Sequence, residues 1–167
     1  LGLLFISGKI GPPNDARARQ LYEKGCAGND SGSCYWLGVQ QAAGVGGPRD
    51  DVQARINQEK GCTLGYKGVC HWIGLVWSGE GASPLWAPRD LARARAYFQL
   101  GCSQNDYRSC GKLGVYMLDG TGGPADQNNS RSVLEKGCSA GDSLACAGLS
   151  SVLIYGFGGP KDEVRAR

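Results

Sequence analysis

Three sets of residues in this 167-residue chain have types and spacings that could do chemistry. The first is eight cysteines in four pairs, Cys26 and Cys34, Cys62 and Cys70, Cys102 and Cys110, Cys138 and Cys146, each pair eight residues apart. Such pairs either ligate a metal or form disulfides. Structural zinc sites use the tighter C-x₂₋₄-C spacings, and none occurs here. A C-x-x-C-H haem attachment is absent too, although Cys70-His71 sets two ligand types side by side. On a straight helix, residues eight apart stand about 12 Å from each other at ~1.5 Å per residue. A disulfide tolerates Cα separations of only ~4.4–6.8 Å. Bridging within a pair therefore needs a chain reversal, for which Ala27-Gly28-Asn29-Asp30-Ser31, Asn105-Asp106 and Gly141-Asp142 have turn composition. Spacing leaves two pairings open, within each unit or across units as Cys34 with Cys62. Persistent disulfides imply an oxidising compartment, periplasmic or extracellular in first place and the mitochondrial intermembrane space behind it.

The second set is Ser109-Cys110-Gly111-Lys112, an S-x-x-K element whose serine would be the nucleophile of a penicillin-recognising enzyme. No S-D-N or K-T-G accompanies it. His71 is the sole histidine, so neither a Ser/His triad nor a polyhistidine metal site can be assembled; beside Trp72 it reads as a polar packing residue. Gly44-Val45-Gly46-Gly47 and Gly120-Thr121-Gly122-Gly123 are not phosphate loops, because each follows a helical segment and precedes proline, which ends helices. The chain thus leans away from an enzyme without deciding the point: Ser109 and Lys112 are the only, weak, catalytic candidates, and no cofactor or metal is expected. The third set is an arginine column, Arg19, Arg55, Arg95, Arg131 and Arg167. Asp15, Asp51 and Glu163 lie four residues before, and Glu23, Glu59 and Glu135 four after, so local ion pairs of ~0.3–0.5 kcal/mol each explain it. Arg95 is the exception, with Leu91 and Gln99 at those places.

The elements that carry these residues repeat. Gly25-Cys26, Gly61-Cys62, Gly101-Cys102 and Gly137-Cys138 recur at 36, 40 and 36 residues, which divides the chain into units 1–36, 37–72, 73–112, 113–148 and a partial 149–167. Each unit reads as two helices. Segments such as Leu113-Gly-Val-Tyr-Met-Leu stop at Gly-x-Gly-Gly-Pro, and the next helix starts at Asn14-Asp15, Asp50-Asp51, Asp90, Asp126 or Asp162, which are N-capping residues. A column of small residues, Ala18, Ala54, Ala94, Ser130 and Ala166, marks where helix backbones approach. The expected fold is all-α, an α/α solenoid in one repeat array. Because Leu1 falls inside a second helix and Arg167 inside a first one, the array reads as a segment of a longer one, with any secretion signal upstream. Composition agrees with a packed protein: 41% apolar and 20% charged residues. A net charge of +3 offers no basic patch for nucleic acid, and no apolar run approaches the ~20 residues of a membrane span.

Leu113-Gly-Val-Tyr-Met-Leu-Asp-Gly-Thr-Gly-Gly-Pro-Ala-Asp followed by Leu134-Glu-Lys-Gly-Cys-Ser-Ala-Gly-Asp-Ser-Leu-Ala-Cys resembles Sel1-like repeats, which are TPR-related, and the C-x₇-C pairs make the chain similar to the secreted cysteine-rich bacterial Hcp proteins. That resemblance implies a right-handed superhelix with one disulfide per repeat, hence Cys26 with Cys34, Cys62 with Cys70, Cys102 with Cys110 and Cys138 with Cys146. It also implies a scaffold or adaptor in an extracytoplasmic assembly. Some Hcp members bind penicillin or are weak β-lactamases, and a mitochondrial relative is linked to haem-copper oxidase assembly, so enzymatic and haem or metal handling are the alternatives. The sequence departs from the family's usual Ala-Cys by using Gly-Cys, and it sets Asn57-Gln58 where other units have Leu21-Tyr22, Tyr97-Phe98 and Val133-Leu134. The second of these departures predicts weaker packing in the second unit.

A partner site is predicted at the third unit's insertion, Gly81 to Pro88, where Leu85 and Trp86 stand between two prolines. Arg89, Arg93 and Arg95 follow it. Tryptophan and arginine dominate binding hot spots, so this loop and Arg95 are expected to meet another protein through an acidic or mixed apolar-acidic surface. The alternative is that Trp86 folds back to seal the core.

Overall fold

The computed structural model describes residues 14–81 and 88–166. Among them are eight α-helices and no strand: α1 (Asp15–Ala27), α2 (Ser31–Ala43), α3 (Asp51–Thr63), α4 (Val69–Ser78), α5 (Leu91–Ser103), α6 (Tyr107–Asp119), α7 (Gln127–Ser139) and α8 (Ser143–Tyr155). This is the all-α class expected from the repeat. Two compact units divide the described residues, one ending at Val69 and the other beginning at Cys70.

The capping residues of the repeat set the helix starts. The side chains of Asn14, Asp30, Asp50, Asp90, Asp126 and Asp142 each accept the backbone N–H three residues on, at 2.7–3.1 Å. Each such cap stabilises its helix by about 1 kcal/mol. Helices α2, α6 and α8 stop where Gly44, Gly120 and Gly156 turn left-handed, at φ 68°, 79° and 75°. Tyr66 stands where the other hairpins have Asp30, Asp106 and Asp142, and α4, at ten residues, is the shortest helix.

Between the two cysteines of a pair the chain reverses. Asn29, Asn105 and Gly141 are left-handed at the turn, with φ 61°, 62° and 86°. The reversal brings Cys26 to 4.5 Å from Cys34, Cys102 to 4.6 Å from Cys110 and Cys138 to 4.4 Å from Cys146, Cα to Cα, and each pair is bridged. Cys62 and Cys70 are also disulfide-bonded, and no cysteine is free. Each of the three bridges joins the last turn of one helix to the first turn of the next, and Cys34 and Cys110 are fully buried. The departure to Gly-Cys has its reason here. A Cβ on Gly25 or Gly101 would overlap the hydroxyl of Ser33 or Ser109, and one on Gly137 would come within 2.6 Å of Ala145 Cβ.

Successive helices interlock through a second set of glycines. A Cβ on Gly38, Gly74 or Gly114 would come within 2.5 Å of Gln58, Phe98 or Leu134, so the absent side chain is the notch into which the large residue of the following first helix fits. Phe98 and Leu134 are fully buried there. In the second repeat Gln58 fills the same notch at 3% exposure, yet its Oε1 has no hydrogen-bond partner. The weaker packing predicted for Asn57-Gln58 is therefore an unsatisfied buried amide rather than an empty space. The small-residue column lies in this seam: Ala18, Ala54, Ala94 and Ser130 are fully buried, and Ser130 Oγ donates to Gly114 O at 2.7 Å.

The arginine column is chiefly a clasp on the next loop. Nη1 of Arg19, Arg95 and Arg131 donates to the carbonyl of Pro48, Pro124 and Pro160, at 3.1, 2.9 and 3.0 Å, always 29 residues ahead. The expected ion pairs form beside it for Arg19 with Glu23 at 3.6 Å and Arg131 with Glu135 at 3.7 Å. Gly46, Gly122 and Gly158 let the clasped loop lie on the first turn of the preceding helix, where a Cβ would strike the carbonyl of Asp15, Leu91 or Gln127. Lysines add a second tie, Lys60 Nζ to Cys26 O at 2.8 Å and Lys136 Nζ to Cys102 O at 2.9 Å.

Two outcomes follow. A bridge closing so short a loop contributes about 2.5 kcal/mol in the chain-entropy model, and a repeat array is a sum of hairpins and seams. Reduction should lower the thermal midpoint markedly and broaden or split the transition seen by circular dichroism; an unchanged melt in reductant would contradict the staple. The clasp and the ion pair separate by substitution. Arg131→Met should cost about 2 kcal/mol in urea unfolding, as a charged group's hydrogen bond does, and should do so in high salt as well. Glu135→Gln should cost about 0.5 kcal/mol or less and lose its effect in salt.

Candidate interaction site

A groove of about 510 Å³ opens in the second unit between α5 and α7. Its floor is Leu113, Met117 and Val133, and Arg95, Lys136 and Asp126 bring charge to it. Helix α5 presents Arg95 and α7 presents Lys136. The α6 side chains between them come from the buried side of a helix that is notched at Gly114 for Leu134. Arg95 is held by its bonds to Pro124 O and Thr121 O, Lys136 by its bond to Cys102 O. Asp126 caps α7, accepting from Asn129 N at 3.1 Å and Asn129 Nδ2 at 2.6 Å, and these bonds hold its carboxyl below the usual carboxylate range. The site is thus two anchored cations over an apolar floor. It can pair with an anion and shed water from an apolar group, and it offers no group placed for proton transfer.

Sequence reasoning singled out Arg95 but missed Lys136, Leu113, Met117 and Val133. For Val133 and Lys136 the signal was present in the 36-residue period, which sets first-helix residues side by side; nothing local marks Leu113 and Met117 on α6. Of the other predicted partner residues, Arg93 lies with its guanidinium 4.6 Å from the Trp77 ring and pairs with Asp90 at 3.4 Å. The stem of Arg89 runs past Gly79. Neither lines the groove. Leu85 and Trp86 lie outside the described residues.

The S-x-x-K residues do not come together as a reactive pair. Ser109 is fully buried against Gly101, and its hydroxyl donates to Asp106 Oδ2 at 3.2 Å. Lys112 pairs with Glu80, whose carboxyl that bond holds below its usual range. Glu80 also accepts from Ser78 Oγ at 3.2 Å. His71 packs on Phe98, ring centroids 5.7 Å apart, with Nδ1 buried and unpartnered, and burial pushes its pKa down. Packed on Phe98 with Nδ1 closed off from solvent, His71 is a packing residue in this setting. Among the described residues, no group of three or more His, Cys, Asp or Glu side chains could hold a metal ion, and no helix is long and apolar enough to cross a membrane.

The comparisons with known proteins agree with this geometry. The Sel1 repeat model matches residues 1–30, 31–66, 69–106, 108–142 and 143–167. No curated protein matches the chain. Among solved structures, a Sel1 repeat protein from Oxalobacter formigenes is similar with a TM-score of 0.77 and 21% identity, over 99% of this chain and 66% of that one. The protein c5321, described as a protective antigen present in uropathogenic Escherichia coli strains displaying an SLR fold, gives 0.82 and 22%, over 99% of this chain and 35% of its own. Helicobacter pylori cysteine rich protein B gives 0.52 and 24%, over 78% and 90%. The chain spans just under two thirds of the first of these and about a third of the second. Those likenesses show the fold; repeat matches that run from the first residue to the last show more, and on them the chain belongs to the Sel1 repeat family.

Proposed function

We propose that this chain is a protein-binding scaffold of an extracytoplasmic assembly, periplasmic or secreted, and that its partner meets the second unit at the Arg95 groove. The observation that supports this reading best is where the polar groups go. Arginines clasp loops, lysines tie to cysteine carbonyls, aspartates cap helices, and Ser109 is closed off under Gly101. Among the described residues, the groove sets two cations beside an apolar floor, open to another molecule. Buried disulfides favour an oxidising setting, since a reducing cytosol does not sustain them.

The reading is tested on the purified, oxidised chain. Immobilised, it should retain one or a few proteins from the extracytoplasmic fraction of its own source, reproducibly and in stoichiometric amount, and reduction with alkylation should abolish this. Nitrocefin should not turn over, and the absorbance spectrum should lack a haem band. Hydrolysis that disappears in Ser109→Ala would establish the enzymatic alternative instead. Retention that survives full reduction would show that the stapled array is not the binding element.

A further inference from the structure

The groove holds positive charge that its own residues do not balance. Arg19 and Arg131 each face a glutamate one turn on, at 3.6 and 3.7 Å. Arg95 has Gln99 at that position. Its Nη1 group is taken up by Thr121 O at 3.5 Å and Pro124 O at 2.9 Å. Among the described residues its Nε and Nη2 meet neither a carboxylate nor a carbonyl, which leaves the forked edge that suits a carboxylate. Lys136 uses one ammonium proton on Cys102 O. The groove's single acidic residue, Asp126, hydrogen-bonds Asn129 and also feels the charge of Arg95, so it offsets only one of the groove's two cations. Between these charges lie Leu113, Met117 and Val133, so a ligand that brought only negative charge would leave that floor wet.

We infer that the groove takes a linear segment of a partner protein in which carboxylates alternate with aliphatic side chains. A carboxylate pairs with the open edge of Arg95, and the aliphatic groups lie on Leu113, Met117 and Val133. The inference rests on the scaffold reading and adds the chemistry of what is bound. A volume of about 510 Å³ suits it, because clefts of ~300–1,000 Å³ enclose small ligands and short segments rather than folded domains. The missing glutamate is what distinguishes this hairpin. Where Glu23 and Glu135 pair with their arginines at one turn's distance, Gln99 leaves Arg95 with only the Asp126 charge, which bonds Asn129 instead, and so leaves its open edge to the partner.

Fluorescence polarisation with the full oxidised chain tests this. The probe is a fluorescein-labelled, C-terminally amidated decapeptide alternating aspartate with leucine. It should bind at least tenfold more tightly than peptides alternating lysine with leucine or aspartate with serine, and more weakly as salt rises. Gln99→Glu restores the internal glutamate without touching the clasp and should weaken binding about tenfold. Arg131→Gln breaks the same clasp one hairpin on, outside the groove, and should leave binding within twofold. Undiminished binding by Gln99→Glu, equal binding of the lysine peptide, or tighter binding of a ten-nucleotide oligothymidine would overturn the inference. A free C-terminal carboxylate that raises affinity in the wild type but not in Gln99→Glu would identify the chain terminus as the anion; equal affinity of both forms would identify the side chains. If no peptide binds while a partner protein is still retained, the groove assignment fails and the scaffold reading stands; if nothing is retained either, both fail.

Discussion

Everything in this structure follows from bringing two helix ends together within a nine-residue stretch. Cysteines eight apart must close to 4.4–4.6 Å, so the intervening chain has to turn at once, and most of the residues nearby serve that turn. Asn29, Asn105 and Gly141 accept the left-handed backbone it demands. Asp30 and Asp142 cap the outgoing helix with their side chains, while Asp106 accepts from the Ser109 hydroxyl instead. Glycine precedes the first cysteine because the two helices approach so closely that a methyl group would collide with Ser33, Ser109 or Ala145.

Hairpins are tied together by contacts between distant stretches of chain. Arginine clasps reach 29 residues ahead, lysine ties reach 34 residues back, and Gln58, Phe98 and Leu134 fill the glycine notches of the helices before them. These bonds go mostly to backbone carbonyls. A backbone carbonyl is present whatever side chain its residue carries, so these ties form beside a notch filled by Gln58 as well as beside one filled by Leu134. Filling the notch with Gln58 still leaves its Oε1 unpartnered.

The candidate site grows out of the same ties. Arg95 and Lys136 would be flexible surface cations on an isolated helix. Here the carbonyls of Pro124 and Cys102 each take one of their donors, so both cations are ordered where they line the groove and have less side-chain entropy to lose on binding. Structure and site are therefore not separable: the bonds that stack the hairpins also hold the charges.

The period, the helix starts and stops, the all-α class and the Sel1-like resemblance were all legible in the residues, because capping, turn and helix-breaking chemistry are local and every unit restates them. Pairing within a hairpin was legible only through the resemblance; spacing alone left Cys34 with Cys62 open. The sequence shows the arginine column and its ion pairs, which form at Arg19 and Arg131, because the acidic neighbours are four residues away; the clasp on a proline carbonyl 29 residues ahead is visible only in the fold. The S-x-x-K spacing was likewise visible, whereas the burial of Ser109 under Gly101 depends on how closely two helices pack. Leu113, Met117 and Lys136 sit inside the repeat motif and Val133 beside it, but nothing in that motif marks them as a site. They form a site only because stacking brings separate helices to one groove, and which faces meet is decided by the summed packing of the hairpins rather than by any one stretch of sequence.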